Sequence, residues 1–133
     1  MIRLLLILIT LPFVSSATET WAYLMHGEEP LFPAQSSITD IAHFSATVQA
    51  DGSLINKLKT PPNLPNAPAN ARRHLVITAP WNADLYHHYL DPDLPFRQRI
   101  IKNIVDQSQP YHGVQIDFEG IADRNGTAFL NFL

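Results

Sequence analysis

The sequence predicts an α/β fold with a parallel sheet, on the evidence of three segments. Residues 113–120 alternate apolar and polar side chains between two glycines, a pattern typical of a β-strand. Residues 74–79, His-Leu-Val-Ile-Thr-Ala, are expected to form another strand. Between these strands, apolar residues recur at helical spacing, namely Phe96, Ile100, Ile101, Ile104 and Val105. A strand, a helix and a strand in this order form a β-α-β unit, whose strands lie parallel.

Residues 60–70 contain four prolines, which lack an amide hydrogen and interrupt regular helices, so a surface loop is expected there. Prolines and acidic residues at 91–95 are typical of a helix start, which agrees with a helix over 96–107.

The polar face of the 113–120 strand distinguishes between two kinds of sheet. Gln115, Asp117 and Glu119 share one face, and the apolar residues between them share the other. A parallel strand in an open, doubly wound sheet is covered on both faces and is apolar throughout. In a barrel, one face meets the helices and the other points at the axis. The pattern therefore favours a barrel strand with Glu119 at the C-terminal mouth, where catalytic groups lie; a solvated or structural polar row is the alternative.

Residues 112–119, His-Gly-Val-Gln-Ile-Asp-Phe-Glu, resemble the fourth-strand signature of the family-18 glycoside hydrolases, the chitinases and their relatives. That signature reads Asp-Gly-x-Asp-x-Asp-x-Glu. Gly113, Asp117 and Glu119 match it, whereas His112 and Gln115 replace its first and middle aspartates. Some bacterial members that act on spore or cell-wall glycans carry an amide at the middle position. The resemblance extends upstream in order and spacing, over roughly residues 20 to 133. Trp21–Met25 resembles the first barrel strand, residues 38–54 resemble the second strand with its exit loop, and residues 74–79 resemble the third strand.

The resemblance implies a (β/α)8 TIM barrel, of which this chain would form the N-terminal part, with about four strands. The chain has 133 residues, whereas such a barrel needs about 200 to 250. The chain is therefore expected to be truncated, with unpaired sheet edges that favour aggregation. The expected organisation is a signal peptide over residues 1–17 and the N-terminal portion of a hydrolase barrel over residues 18–133.

The resemblance also implies a reaction, the retaining hydrolysis of β-linked N-acetylhexosamine glycans such as chitin or peptidoglycan. Glu119 would be the general acid, and the substrate's own acetamido oxygen would attack the anomeric carbon. Asp117 would orient that acetamide, and Gln115 would contact the substrate from the same row. Tyr23 and Trp81 are candidates to stack on sugar rings, with aromatic packing in the core as the alternative.

Two other functions stay open. The chain could be a non-catalytic, chitinase-like carbohydrate-binding protein, an interpretation that the change at His112 favours and that Glu119 argues against. It could also be an inactive truncated fragment.

Composition narrows the class of protein. Hydrophobic residues make up 46% and charged residues 16% of the chain, which predicts an ordered globular domain. The formal charge of −3 becomes −4 if a signal peptide carrying Arg3 is removed, so no nucleic-acid partner is expected. The chain has no cysteine, which excludes disulfides and thiolate metal sites. Its six histidines lack metal-ligand spacing and are expected on the surface or in loops, so no metal and no cofactor are predicted.

The N-terminus predicts export. A positive start at Met1–Arg3 precedes an apolar core at Leu4–Val14 and a small-residue cleavage site at Ser15–Ala17. The apolar run is about eleven residues long, shorter than the roughly 20 that span a bilayer. The mature chain is therefore expected to start near Thr18 as a secreted or periplasmic protein, with a glycan substrate as its partner and no stable membrane association.

Overall fold

The computed structural model describes residues 18–34 and 37–133, so the predicted signal peptide lies outside the described residues. Five strands form one sheet in this part of the chain: β1 (Trp21–Met25), β2 (Asp40–Val48), β3 (Leu54–Asn56), β4 (Arg72–Thr78) and β5 (Gly113–Asp117). The α-helices are α1 (Ala83–Leu90), α2 (Pro95–Ser108) and α3 (Gly126–Leu130), with 3₁₀ turns at Glu29–Leu31 and Asp123–Asn125.

The sheet is mainly parallel, with the strand order β1-β2-β4-β5. This arrangement confirms the predicted α/β fold class. The expected count of about four strands omitted β3, which pairs antiparallel with the end of β2. Residue 54 was expected to end an exit loop and instead begins β3. A hairpin turn joins the two strands, and its Gly52 adopts a φ of +77° that favours glycine.

Helices α1 and α2 cover one face of the sheet. The core between them consists of alternate residues from the strands and one side of each helix: Ala46, Val48, Leu75, Ile77, Tyr86, Tyr89, Leu90, Ile100 and Ile104. Val114 and Ile116 of β5 pack against this core, as the alternation in the sequence predicts. The opposite face of β5 is consequently free to carry polar side chains.

The proline-rich segment between β3 and β4 contains neither a helix nor a strand, as expected for a loop. It is not wholly at the surface, however, because Leu64 is buried. This side chain helps to form a second apolar cluster beside β1 and β2, composed of Leu24, Phe32, Ile38, Ile41, Leu64 and Ala71. The loop thus covers part of the sheet that would otherwise face water.

Several local predictions need correction. The predicted strand ends at Asp117 rather than at residue 120, and Val105 of the predicted apolar stripe is half exposed. The surface or loop placement is wrong for His43 and His74, which lie in β2 and β4. His43 is fully buried, and its burial, with the nearby Arg73 charge adding, lowers its pKa to about 4. Burial in an apolar strand favours the neutral imidazole.

Helix α1 was not predicted from the sequence, although its N-terminus carries a recognisable signal. The Asn82 side chain accepts hydrogen bonds from the backbone N–H groups of Asp84 and Leu85, at 3.0 and 3.5 Å. Asparagine is among the preferred N-cap residues because it satisfies such unpaired donors. None of the helices within the described ranges has both the length and the apolar character required to cross a bilayer.

Candidate active site

The polar row of β5 lies on the sheet face opposite the helices. In the parallel register, Gln115 is paired with Val76 of β4, and Asp117 is paired with Thr78. Both Gln115 and Asp117 are half-buried. Paired residues of neighbouring strands project to the same face, so Asp117 and Thr78 lie side by side at the C-terminal ends of their strands.

Thr78 is held in a fixed hydrogen-bond arrangement next to Asp117. Its hydroxyl donates to the Ala46 carbonyl oxygen at 3.1 Å, and the Thr47 and Thr78 hydroxyl oxygens are 2.9 Å apart. A hydroxyl has one hydrogen to donate, so Thr47 is the donor to Thr78. The C-terminal ends of β2 and β4 are thereby tied together beside the carboxylate.

Glu119 lies two residues beyond the end of β5 and is exposed. The residue before it, Phe118, is buried on the helix side. Its ring contacts Tyr86, Phe129 and Phe132, with centroid distances of 5.7, 6.2 and 5.8 Å. This packing anchors the backbone next to Glu119 on the helix side of the sheet.

Trp81 lies directly against the segment that carries Glu119. Gly120 has a φ of +74°, and a β-carbon at this position would be 2.7 Å from Nε1 and 2.8 Å from Cε2 of Trp81. Only glycine permits both this backbone conformation and this close approach. The indole is 76% exposed, so a largely open aromatic surface lies against Gly120, the residue that follows Glu119.

Tyr23 does not join this group. It lies on β1, three strands from β5, which is about 14 Å at a strand spacing of roughly 4.8 Å. Its ring packs on Phe44 with centroids 5.8 Å apart and remains 62% exposed. Tyr23 thus lies on the same sheet face as the polar row, but three strands away from it. The core-packing alternative does not hold for Tyr23 or Trp81, since both rings are mainly exposed.

A second polar cluster lies at the N-terminal end of the same sheet face and was not predicted from the sequence. The buried Asp40 carboxylate accepts a hydrogen bond from Arg72 Nη2 at 2.8 Å and forms an ion pair with Arg72 Nε, which lies 2.7 Å from Oδ1. Thr39 and His74 also donate to it, each at 2.7 Å. These bonds, chiefly those of Arg72, lower the pKa of Asp40 to about 2. Asp40 and Arg72 come together through the register of β2 and β4. The order of residues in either strand alone does not indicate this pairing.

His112 is exposed at the start of β5 and contacts the backbone of β4. The imidazole Nδ1 of His112 accepts a hydrogen bond from the backbone N–H of Arg73 at 2.9 Å. The backbone N–H of His112 donates to the backbone carbonyl of Arg73 at 2.8 Å. The imidazole thus joins two strands. Seven residues separate it from Glu119, about 23 Å along extended chain at roughly 3.3 Å per residue.

Comparison with solved structures identifies similar folds. The spore cortex-lytic enzyme SleL of Bacillus cereus matches with a TM-score of 0.63 and 23% identity, over 86% of this chain and 30% of SleL. A chitinase of Bacteroides thetaiotaomicron matches with a TM-score of 0.61 and 21% identity, over 84% of this chain and 40% of the chitinase. A chitinase of Chromobacterium violaceum ATCC 12472 gives 0.60 and 15%, over 86% and 39%.

These matches show that the described residues have the fold of part of a chitinase-like α/β barrel, and the chain spans about 30 to 40% of the length of the matched structures. No protein-family model matches the sequence, and a search of curated proteins finds no match. The similarity therefore concerns the fold, and the chemistry has to be argued from the residues of this chain.

Proposed function

We propose that the chain belongs to a glycoside hydrolase of the family-18 type, which cleaves β-linked N-acetylhexosamine glycans. The position of the polar row carries the proposal. Gln115 and Asp117 lie on the face of a parallel sheet opposite the helices, and Glu119 follows them at the C-terminal end. In α/β barrels that end holds the catalytic groups. The chitinase-like fold of the described residues supports the same assignment.

In the proposed reaction, Glu119 protonates the glycosidic oxygen as the bond to the anomeric carbon breaks. The acetamido oxygen of the same sugar attacks that carbon from the opposite side, forming a cyclic cationic intermediate. Asp117 accepts a hydrogen bond from the acetamide N–H and stabilises the positive charge. Water, deprotonated by Glu119, then opens the ring. Two inversions at one carbon give net retention.

The remaining predicted residues have binding roles in this proposal. Gln115 offers an amide to the sugar bound over Asp117. Trp81 offers its exposed ring to a sugar next to the bond that is cleaved, because the indole contacts Gly120, the residue after Glu119. Tyr23 contacts a more distant part of the glycan, since it lies across the sheet from β5. An aromatic face suits a pyranose ring, which is apolar on one side and hydroxylated at its edge.

A non-catalytic carbohydrate-binding protein is the second candidate, favoured by the two departures from the signature. Gln115 replaces a carboxylate within the row, so the row holds less negative charge. The structure gives the other departure, His112, a role of its own, because the imidazole binds the β4 backbone far from Glu119. Of the two residues that depart from the signature, Gln115 therefore lies in the candidate site and His112 does not.

The stereochemistry of the first product tests this mechanism. Proton NMR of a β-linked N-acetylglucosamine oligosaccharide, recorded before mutarotation, should show the β-anomer at the new reducing end. The α-anomer would exclude substrate assistance, because a single displacement by water inverts the carbon. Binding without any new reducing end would favour the carbohydrate-binding candidate. We further propose, from the export pattern in residues 1–17, that the protein acts in the periplasm or outside the cell.

A further inference from the structure

A small hollow opens beside the polar row, at the C-terminal ends of β1, β2 and β4. Its volume is about 180 Å³. Six of the side chains that line it are Met25, His26, Phe44, Thr47, Lys57 and Thr78. Thr78 is paired with Asp117, so the hollow adjoins the candidate catalytic carboxylate. We call it the mouth hollow.

Lys57 is the only lysine or arginine that lines the mouth hollow. The hairpin fixes its position, because the Lys57 N–H donates to the Ser45 carbonyl at 3.0 Å and the Ser45 hydroxyl donates to Asn56 Oδ1 at 3.0 Å. In residues 18–34 and 37–133, the ion pairs formed by lysine or arginine involve Arg72, Lys102 and Arg124. Lys57 thus has a positive charge without a carboxylate partner there.

The acidic residues beside the mouth hollow already have ion-pair or hydrogen-bond partners. Glu29 pairs with His26 at 3.4 Å and accepts from the Gly27 N–H at 2.8 Å. Glu28 accepts from the Met25 N–H at 3.3 Å. Asp117 lies on the other side of Thr78, at the proposed catalytic position. The hydroxyl hydrogens of Thr47 and Thr78 are already donated within the protein, so an anion that enters the mouth hollow meets Lys57 as its charged donor.

The size of the mouth hollow limits what it can hold. Pockets that enclose whole small molecules measure about 300 to 1,000 Å³, so 180 Å³ suits a substituent rather than a complete sugar. Lysine binds a carboxylate as a compact point charge. A sugar placed over Asp117 would direct a substituent of its ring toward Thr78 and Lys57.

We infer that the preferred substrate is an N-acetylhexosamine glycan that carries a carboxylate substituent, of the kind that N-acetylmuramic acid carries as a lactyl ether, and that Lys57 recognises this group. The inference rests on the proposed function, since it places the sugar over Asp117. It narrows the substrate from neutral, chitin-like chains to acidic ones.

The test measures binding of three tetrasaccharides to the full chain by calorimetry. They are a peptide-free strand of alternating N-acetylglucosamine and N-acetylmuramic acid, the same strand with its carboxyl groups reduced to alcohols, and chitotetraose. The acidic strand should bind about 3- to 5-fold more tightly than either neutral one, the size expected for one exposed ion pair. Lys57→Gln should remove this preference and leave chitotetraose binding unchanged.

Lys59→Gln is the matched control, because Lys59 lines a different depression beside Leu54 and Asp106. It should keep the preference. Equal affinity for the three glycans, no binding of the acidic strand, or equal effects of the two lysine substitutions would overturn the inference. Hydrolysis is followed in the same samples. A preference that depends on Lys57 without any turnover contradicts the proposed hydrolase but supports this inference, whereas turnover with no preference contradicts this inference alone.

Discussion

The indole of Trp81 and the backbone of Gly120 are in direct contact, so close that a β-carbon on residue 120 would lie 2.7 Å from Nε1. The contact joins the segment after β4 to the segment after β5. Glu119 is the residue immediately before Gly120, so its position depends on how these two segments meet. The contact between Trp81 and Gly120 thus fixes the backbone beside Glu119.

Replacing Gly120 with alanine should destabilise the protein and reduce turnover. The substitution places a side chain at a φ of +74°, which costs about 1 to 2 kcal/mol, and it also displaces Trp81. Urea unfolding should show a loss larger than that of Gly27→Ala, which has a φ of +98° but no atom within 4 Å of the added carbon. Gly126→Ala, in a helix with free space, should be neutral or stabilising by up to about 1 kcal/mol. Equal losses at positions 120 and 27 would show that the contact with Trp81 has no energetic effect.

Replacing Trp81 with alanine should weaken glycan binding by about 3- to 10-fold, through loss of an aromatic contact worth roughly 0.5 to 1.5 kcal/mol. It should also relieve part of the damage in Gly120→Ala, because the atoms that the new methyl group meets are gone. The unfolding free energies of the double mutant and the two single mutants form a cycle. We expect a coupling of at least about 0.5 kcal/mol. Additive effects on stability would contradict the contact as described.

Asp40 should make stability depend on pH at the acidic end. Its folded pKa, about 2, lies below the ordinary value of 3.8. The unfolded chain therefore takes up the proton first, and the stabilisation is present above about pH 4 and lost as pH falls toward 2. Asp40→Asn should flatten this part of the profile and cost about 1.5 to 3 kcal/mol at pH 7, as expected for lost hydrogen bonds to a charged group.

Asp84→Asn is the control for Asp40, because the pair of Asp84 with Arg124 is exposed at 3.2 Å. Such pairs contribute at most about 1 kcal/mol. Unfolding of both variants by urea at several pH values between 2 and 7 separates the two effects. An unchanged slope below pH 4 in Asp40→Asn would mean that another carboxylate is responsible.

Export should remove residues 1–17. The apolar core and the Ser15–Ala17 site predict cleavage after Ala17, so N-terminal sequencing of the exported protein should begin at Thr18. A mature protein that retains Leu4–Val14 would contradict the signal peptide prediction and favour an uncleaved anchor.

The sequence predicted the elements whose local pattern agrees with their tertiary environment. Trp21–Met25 forms β1 with the predicted bounds, and α2 differs from the predicted helix by one residue at each end. The alternation along β5 also predicted which residues meet the helices, because one face is apolar and the other polar. In these elements the side chains alone distinguish the two faces.

Other features depend on contacts between residues far apart in the chain. β3 has three residues and forms by pairing with β2, so no local period indicates it. His43 is buried through its place in a central strand, although histidine is more often found at intermediate exposure. The bonds from Arg72 and His74 to Asp40 span more than thirty residues and follow from the strand register.

The decisive measurement is turnover of a β-linked N-acetylglucosamine oligosaccharide by Glu119→Gln, in the longest available form of the protein. Glutamine keeps the shape of the side chain but has no acidic proton, and a general acid contributes about 10² to 10⁴ in rate. The value of kcat should fall by that factor with binding preserved. Asp117→Asn should also slow the reaction. Asp123→Asn, an exposed carboxylate four residues further along, should not affect it. Unchanged turnover in Glu119→Gln, with binding intact, would contradict the assignment of Glu119 as the acid and with it the proposed hydrolase.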